Sequence, residues 1–399
     1  MTEPRNGCPV SHTEYGKDSE IHGHYALLDA DREAGRFQFN DTRPRGFWML
    51  QRYDDVTAGF QQHQVWTTAV RSALNAGVGE PLLPQDLGGE AHAKLRRVLN
   101  QFFAPAAVRR LEPLARQRCV EMVEELAPHG ECDFVAEFAI RYPTDLFLAL
   151  LGLPVSDGEF FLPLAESMFT SLIAGEAERA ALAKKNILDY FDAAVTERRA
   201  NPRDPKEDMV SRLTQARVDG EPISHEDILT ICLTLMLAGL DTTRSALGYA
   251  FAHLAEHSAD RRRLVEDPSL APAAVEEFLR LYPLVFQVGR EVREPTTFEG
   301  LELAEGDVMW LGIGQANRDP RRFPDPDVFQ LGREGVNQHL AFGAGPHRCL
   351  GMHLARLELA VVLREWHARI PDYRIEPGTE LVERGGQLTL RSLPLRWDS

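Results

Sequence analysis

The chain has 399 residues, longer than the roughly 250 to 300 at which a single hydrophobic core usually stops growing, so one large unit and two domains are both open. Its composition, 44% hydrophobic and 26% charged with 20 Phe, suits a packed globular enzyme and excludes a disordered chain. A formal net charge of −16 opposes a general attraction to nucleic acid or to an anionic membrane. Five cysteines without a CxxC spacing argue against a zinc cluster or a disulfide framework, and an odd number suits a reducing, cytoplasmic setting.

The amino terminus, MTEPRNGCPVSH, lacks the basic and then apolar layout of an export signal, and residues 1–20 are expected to form a flexible tail. Residues 36–40 and 46–52 look like two strands joined by a Pro and Gly turn, followed by a helix near Asp54. Helical patterns recur at about 91–103, 106–126, 137–151, 157–172, 176–200, 225–257 and 269–281. The stretch NPRDPKED, 201–208, reads as a surface loop between helices rather than a domain boundary. The most apolar segment, 228–251, approaches membrane-spanning length, but Asp241 and Arg244 lie inside it. Charge at that depth in lipid is expensive, so a helix buried within the protein is expected. Strands return at about 291–311 and 381–396, with a helix from about 350 to 369 between them, and no fixed-period repeat is visible. The expectation is a mainly α fold with small β-sheets, forming one unit over 1–399.

Chemistry concentrates in FGAGPHRCLG, 342–351, where a Gly and Pro loop holds a lone cysteine just before an apolar helix. Backbone N–H groups and the dipole at a helix start favour a thiolate, and a thiolate is a natural metal ligand. Gly343, Gly345 and Gly351 permit tight turning and close approach to a flat ligand. From the chain's own residue frequencies, a chance match to F-x-x-G-x-x-x-C-x-G is on the order of one in a thousand. In the middle of the apolar helix, Ala238-Gly239-Leu240-Asp241-Thr242-Thr243 combines a helix-weakening glycine with a buried carboxylate, a clustering of broken local rules that suggests a site. Taken alone, Thr242 bonding the carbonyl of Ala238 is an equally good reading. Glu277 and Arg280 share one helix face at three-residue spacing, which by itself is consistent with an ordinary surface pair.

With Phe342, Gly345, His347, Cys349 and Gly351 in this arrangement, the sequence resembles the cytochrome P450 family of haem-thiolate monooxygenases, in its bacterial form. The likeness runs from about residue 20 to the end and includes ANRDP at 316–320 and FPDPDVF at 323–329. It implies a single haem domain with haem b (iron protoporphyrin IX) between a long central helix and the cysteine loop. Cys349 becomes the axial thiolate ligand. Phe342 and Gly343 fall against the cofactor, and His92, Arg96, Arg290 and His347 become partners of its propionates, which cannot be buried unpaired. Asp241 and Thr242 become the acid and alcohol that deliver protons during O2 activation. Glu277, Arg280 and Arg333 become a buried fold-defining network. The ligand, relay and E-x-x-R positions all match the family pattern.

No flavin or ferredoxin-like module is appended, so electrons are expected from a separate ferredoxin and an NAD(P)H-dependent ferredoxin reductase. An acidic ferredoxin would meet Lys94, Arg97, Arg109, Arg110, Arg348 and Arg356 behind the ligand loop. The substrate pocket is expected to draw on segments near 70–88, 160–178, Thr234–Ala238, Leu284–Val288 and Gly386–Leu388. Thr234, Leu237, Ala238, Val285, Phe286 and Gln387 are the candidates there, and their apolar character points to a small hydrophobic molecule. The chain is expected to act as a monomer, without nucleic acid or membrane. The competing readings are a non-catalytic haem sensor or carrier and a related enzyme with atypical oxidative chemistry; the first leaves Asp241 and Thr242 unexplained.

Overall fold

The structure, a computed structural model, describes residues 7–68, 82–174, 176–385 and 387–398. Among these, eleven helices have nine residues or more: α1 Gly23–Ala34, α2 Tyr53–Gln61, α3 Gly89–Phe103, α4 Glu112–Leu126, α5 Arg141–Leu151, α6 Gly158–Ala174, α7 Ala177–Ala200, α8 His225–Glu256, α9 Ser258–Glu266, α10 Ala271–Leu281 and α11 Met352–His367. Strands β1 Val10–Ser11, β2 Phe37–Asn40, β3 Phe47–Leu50, β4 Trp66–Thr67, β5 Gln287–Val292 and β6 Val308–Gly312 form a mixed sheet in the order β1-β2-β3-β6-β5-β4. A C-terminal hairpin, β7 Val382–Arg384 and β8 Thr389–Leu390, adds the strand Ser19–Glu20 along its edge. The fold is mainly α with small sheets, as the sequence implied.

Helix α8 organises the interior. Ser224 caps it by accepting from the Asp227 N–H at 3.0 Å, and Glu226 and Asp227 place negative charge at the positive helix end. Its first half, to Leu240, packs into one apolar core with α3, α5, α6 and α7, while its second half, from Leu247, joins a different core with α4, α10 and α11. Residues 241–246 therefore lie where two cores meet. Among the described residues α8 alone is long and apolar enough to cross a membrane, and 67% of that apolar window is buried inside the protein.

Several elements depart from the sequence reading. The segment from Val10 onward is not a tail, because β1 pairs with β2 and the buried Asp31 accepts from Ser11, Thr13 and Tyr15. Residues 1–6 lie outside the described residues. This anchoring uses polar contacts, so no apolar pattern announces it. Helix α1 was likewise hidden, since two of its four buried residues, His24 and Asp31, are polar. The span 106–126 is divided: a short helix Pro105–Val108 and a 3-10 turn Arg109–Leu111 precede α4, which carries Pro113 in its first turn. Before α5, Phe134–Ala139 forms a π-helical turn capped by Asp133, whose carboxylate accepts from Val135 and Ala136.

Candidate active site

The ligand loop closes on itself before α11 begins. Cys349 N–H donates to the Phe342 carbonyl at 2.9 Å and Arg348 N–H to the Gly345 carbonyl at 3.1 Å. Gly343 and Gly345 are left-handed, at φ +64° and +67°, and a Cβ on Gly345 would fall 2.4 Å from the Phe60 carbonyl oxygen, so only glycine fits there. Gly351, at φ −80°, has open space around it and needs no special conformation. Cys349 is accessible at its surface although it sits in a densely packed part of the protein. Burial holds its thiol above the ordinary range. The Gly351 N–H and the charges of Arg96, Arg356 and Arg348 act the other way without outweighing burial. The helix start alone therefore does less than the sequence suggested, and a bound cation is the natural completion of a thiolate here.

The rim of the site gathers cations without anions. The rings of His92 and His347 stack with centroids 3.9 Å apart, joining α3 to the ligand loop, and Arg96 Nη2 donates to the Arg348 carbonyl at 2.9 Å. Arg290 on β5 is buried, donates to the Gly289 carbonyl at 2.7 Å and lies 5.5 Å over the Phe60 ring. None of these four forms an ion pair with a carboxylate among the described residues. Burial, aided by the neighbouring cations, holds His347 down to about 3 and His92 to about 4, while burial alone lowers Arg290 to about 10. Phe60, His63, Trp66, His92, Arg290 and His347 face a cavity of about 410 Å³. A buried cluster of donors with no anion is unfavourable alone and fits the two carboxylates of a haem.

On the opposite side, α8 shows one accessible face. Between Ile231 and Leu254 only Leu235, Ala238, Gly239, Thr242 and Ala246 are not buried, and Ala238 is exposed. Their spacing of three and four residues is a single helical stripe. Leu237 and Leu240 beside it belong to the same apolar core as Leu354 of α11, against which Leu350, the residue after Cys349, also packs, so one core links the flank of the stripe to the cysteine loop. Thr242 Oγ1 donates to the Ala238 carbonyl at 2.7 Å, the local bond that the sequence allowed. A Cβ on Gly239 would meet only Phe147, at 3.7 Å. The glycine thus keeps space open rather than relieving a clash. Asp241 is buried, and burial raises its carboxyl above the usual range against the opposing charges of Arg244 and Arg384.

Other expected residues are placed less directly. Thr234 is buried and donates to the Thr230 carbonyl at 2.8 Å, and Leu237 is buried in the core behind the stripe. Phe286 has no exposed surface and is part of the apolar core, with its ring 5.8 Å from that of Tyr15. Val285 and Gln387 are half-buried, and the Gln387 amide nitrogen has no hydrogen-bond partner. Residues 70–81, 175 and Gly386 of the expected pocket segments lie outside the described residues. Of the expected docking cations, Lys94 is held by Asp219 and Glu90 at 2.6 and 3.0 Å, and Arg356 by Glu276 at 2.6 and 2.8 Å. Arg97, Arg109, Arg110 and Arg348 are exposed and form no ion pair among the described residues.

Sequence reasoning missed Phe60 and His63, which no local pattern marks, and Glu166 and Arg384, described below. It also passed over Glu358, which sits one turn after Leu354 on the buried face of α11 and was legible there as a carboxylate in an apolar stripe. Burial pushes Glu358 up to about 8, against the bond from Thr243.

A long buried helix with one accessible face, linked through a shared core to a cysteine loop whose rim carries cations without carboxylate partners among the described residues, is the arrangement that a haem-thiolate protein needs. A family model described as "Cytochrome P450" matches residues 157–366. The chain is 33% identical over 357 residues to "Probable cytochrome P450 127A1" of Sinorhizobium fredii, covering 88% of this chain and 84% of that one. It is 33% identical over 362 residues to "Mycinamicin IV hydroxylase/epoxidase" of Micromonospora griseorubida, covering 88% and 89%. The solved structure of CYP101J2 matches with a TM-score of 0.87 and 31% identity over 100% of both chains. The chain belongs to the cytochrome P450 family and is a monooxygenase of that family. Membership implies haem with a cysteine thiolate ligand.

Proposed function

We propose that this protein is a single-domain, cytoplasmic monooxygenase that oxidises a small hydrophobic molecule, using O2 and two electrons from a separate ferredoxin served by an NAD(P)H-dependent reductase. The observation that carries this reading is the accessible stripe Ala238, Gly239 and Thr242 on an otherwise buried helix, whose flanking Leu237 and Leu240 share an apolar core with Leu350 beside Cys349. Haem b, when bound, supplies the iron at which dioxygen is reduced and split. Cys349 would ligate it through Sγ, Phe342 and Gly343 would shape the loop against it, and His92, Arg96, Arg290 and His347 would hold its propionates.

The chain's own part is to keep the site small, dry and supplied with protons. Ala238 and Gly239 leave room that larger side chains would fill. The Thr242 hydroxyl donates its one proton to the Ala238 carbonyl; when that bond breaks the same O–H can turn to the site, give up its proton there and be reprotonated from the Asp241 side. Asp241, one residue away and buried, is the group that brings the proton in. Leu235 and Val285 give the pocket apolar walls, and the free amide N–H of Gln387 offers one directional bond. Arg97, Arg109, Arg110 and Arg348 remain available to an acidic ferredoxin.

Two variants test the reading. The ferrous protein with carbon monoxide should show the strongly red-shifted Soret band of thiolate ligation, and Cys349→Ser should lose it. Thr242→Ala should keep the band and oxygen consumption while product formed per NAD(P)H falls by about tenfold or more and hydrogen peroxide appears in solution. Retention of the band in Cys349→Ser, or an unchanged product yield in Thr242→Ala, would remove the respective assignment.

A further inference from the structure

Asp241 does not stand alone in its buried position. One turn later on α8, Arg244 Nη1 lies 3.7 Å from Asp241 Oδ1 and donates to Glu166 Oε2 of α6 at 3.0 Å. On its other oxygen Glu166 accepts from Arg384 Nη2, at the end of β7, at 3.4 Å. Four charges of alternating sign thus run from the centre of α8 through a carboxylate whose side chain is 44% exposed to Arg384, and they tie together α8, α6 and the C-terminal hairpin.

The sharing of Arg244 is unequal. At 3.0 Å its N–H is hydrogen-bonded to Glu166, whereas 3.7 Å to Asp241 is a charge contact without a hydrogen bond. No described residue donates a hydrogen bond to the Asp241 carboxylate, whose side chain is 10% exposed, and Arg244 Nε is buried without a partner. A purely structural ion pair at this depth would be expected to close both bonds, since a buried carboxylate is costly unless hydrogen-bonded. We infer that Arg244 is the positioning residue of Asp241 and that Glu166 competes with Asp241 for it, so that the placement of α6 sets how much positive charge the buried acid meets. This rests on the proposed role of Asp241 in proton delivery. The charged groups acting on Asp241 agree in sign: Arg244 of its own helix and Arg384 of the hairpin favour its ionised form, and Glu166 of α6 opposes it.

The consequence is specific. Removing Arg244 leaves Asp241 facing burial and Glu166, so it gains its proton at higher pH. Neutralising Glu166 releases Arg244 to Asp241, so it gains its proton at lower pH. Infrared difference spectra of the haem-loaded protein, referenced to Asp241→Asn, isolate the C=O stretch of protonated Asp241, and its growth on acidification gives the midpoint. Arg244→Ala should raise that midpoint by about one pH unit or more, Arg244→Lys should restore most of it, and Glu166→Gln should lower it. A midpoint that moves in neither variant, or in the same direction in both, overturns the inference. If Arg244→Ala does not take up haem, Glu166→Gln decides alone: a lower midpoint supports the inference, and an unchanged or higher one refutes it. Unimpaired turnover in Asp241→Asn would instead remove Asp241 from proton delivery and leave the infrared result to judge the ion chain.

Discussion

The cluster around Glu277 and the cluster around Arg290 are both buried and both rich in arginine, yet only the first is complete. The Glu277 carboxylate accepts from Arg280 at 2.8 and 2.8 Å, from Arg333 at 2.9 Å and from the Gln330 N–H at 3.0 Å. The surplus positive charge is spread over carbonyls, those of Asn317, Pro326 and Val328 for Arg280 and those of Asp325 and Val328 for Arg333. Around Arg290, with Arg96, His92 and His347, donors converge without a carboxylate partner among the described residues. Saturated charge holds the chain to itself, and unsaturated charge holds something else. A folded chain that tolerates the second arrangement does so because a ligand completes it.

The widest break in this comparison is Glu277→Ala, which strands two buried arginines. It should cost about 3 to 5 kcal/mol, a large share of the roughly 5 to 15 kcal/mol that holds a typical domain together, and chemical denaturation should show little or no cooperative folded protein. Arg290→Ala removes a similarly buried arginine with the opposite outcome. Haem-free protein should keep or gain stability, while haem transfer to an acceptor globin should speed up about tenfold or more, in line with the roughly 1.5 to 3 kcal/mol of a charged hydrogen bond. Equal loss of haem-free stability in both variants would abolish the distinction between the clusters.

Acid sharpens the contrast further. In the folded chain His92 is held down to about 4, against 6.5 for the free group, so the unfolded state takes up that proton first. The stability it contributes is fully present above pH 6.5 and is lost as pH falls toward about 4. Haem propionates would favour the charged imidazole, so haem-free protein should lose stability over this range more steeply than loaded protein, and His92→Gln should flatten the difference. Denaturant midpoints measured across the range in both forms check it.

The same contrast reaches the surface with the smallest effect. Lys94 and Arg356 are answered by carboxylates, whereas Arg97 and Arg110 form no ion pair among the described residues. Arg97→Glu or Arg110→Glu should slow reduction by ferredoxin roughly three- to tenfold at low salt, an effect that fades as the Debye length shortens to about 3 Å at 1 M. Lys94→Glu should change the rate less. Stopped-flow rates that do not separate the two groups would place the partner elsewhere.

Much of this was legible in local pattern. Apolar residues three and four apart place α3, α5, α6, α7, α8, α10 and α11 within a few residues of their observed limits, because each helix buries one stripe and the stripe is written into neighbouring positions. The cysteine loop was legible for a related reason: a left-handed turn pressed against α2 admits only glycine, so Gly343 and Gly345 are visible in the sequence itself. Elements held by polar contacts were not, which is why α1 and the strand pairing from Val10 escaped notice.

By itself the sequence determined most of the helices, the glycine-bearing cysteine loop and the family resemblance, and it offered Asp241 and Thr242 on α8 as the candidate acid and alcohol. The tertiary structure decided which charges meet. Nothing within a few residues of Asp241 shows that Arg244 is shared with Glu166, that Arg384 closes the chain from the other end, that Phe286 turns into the core or that Lys94 is already occupied by Asp219. Periodicity specifies the face a side chain presents, because that depends on its neighbours along the helix. A buried charge is specified by its partner, and here the partners lie 78 and 218 residues apart in the chain, brought within bonding distance only when the cores on either side of α8 have packed.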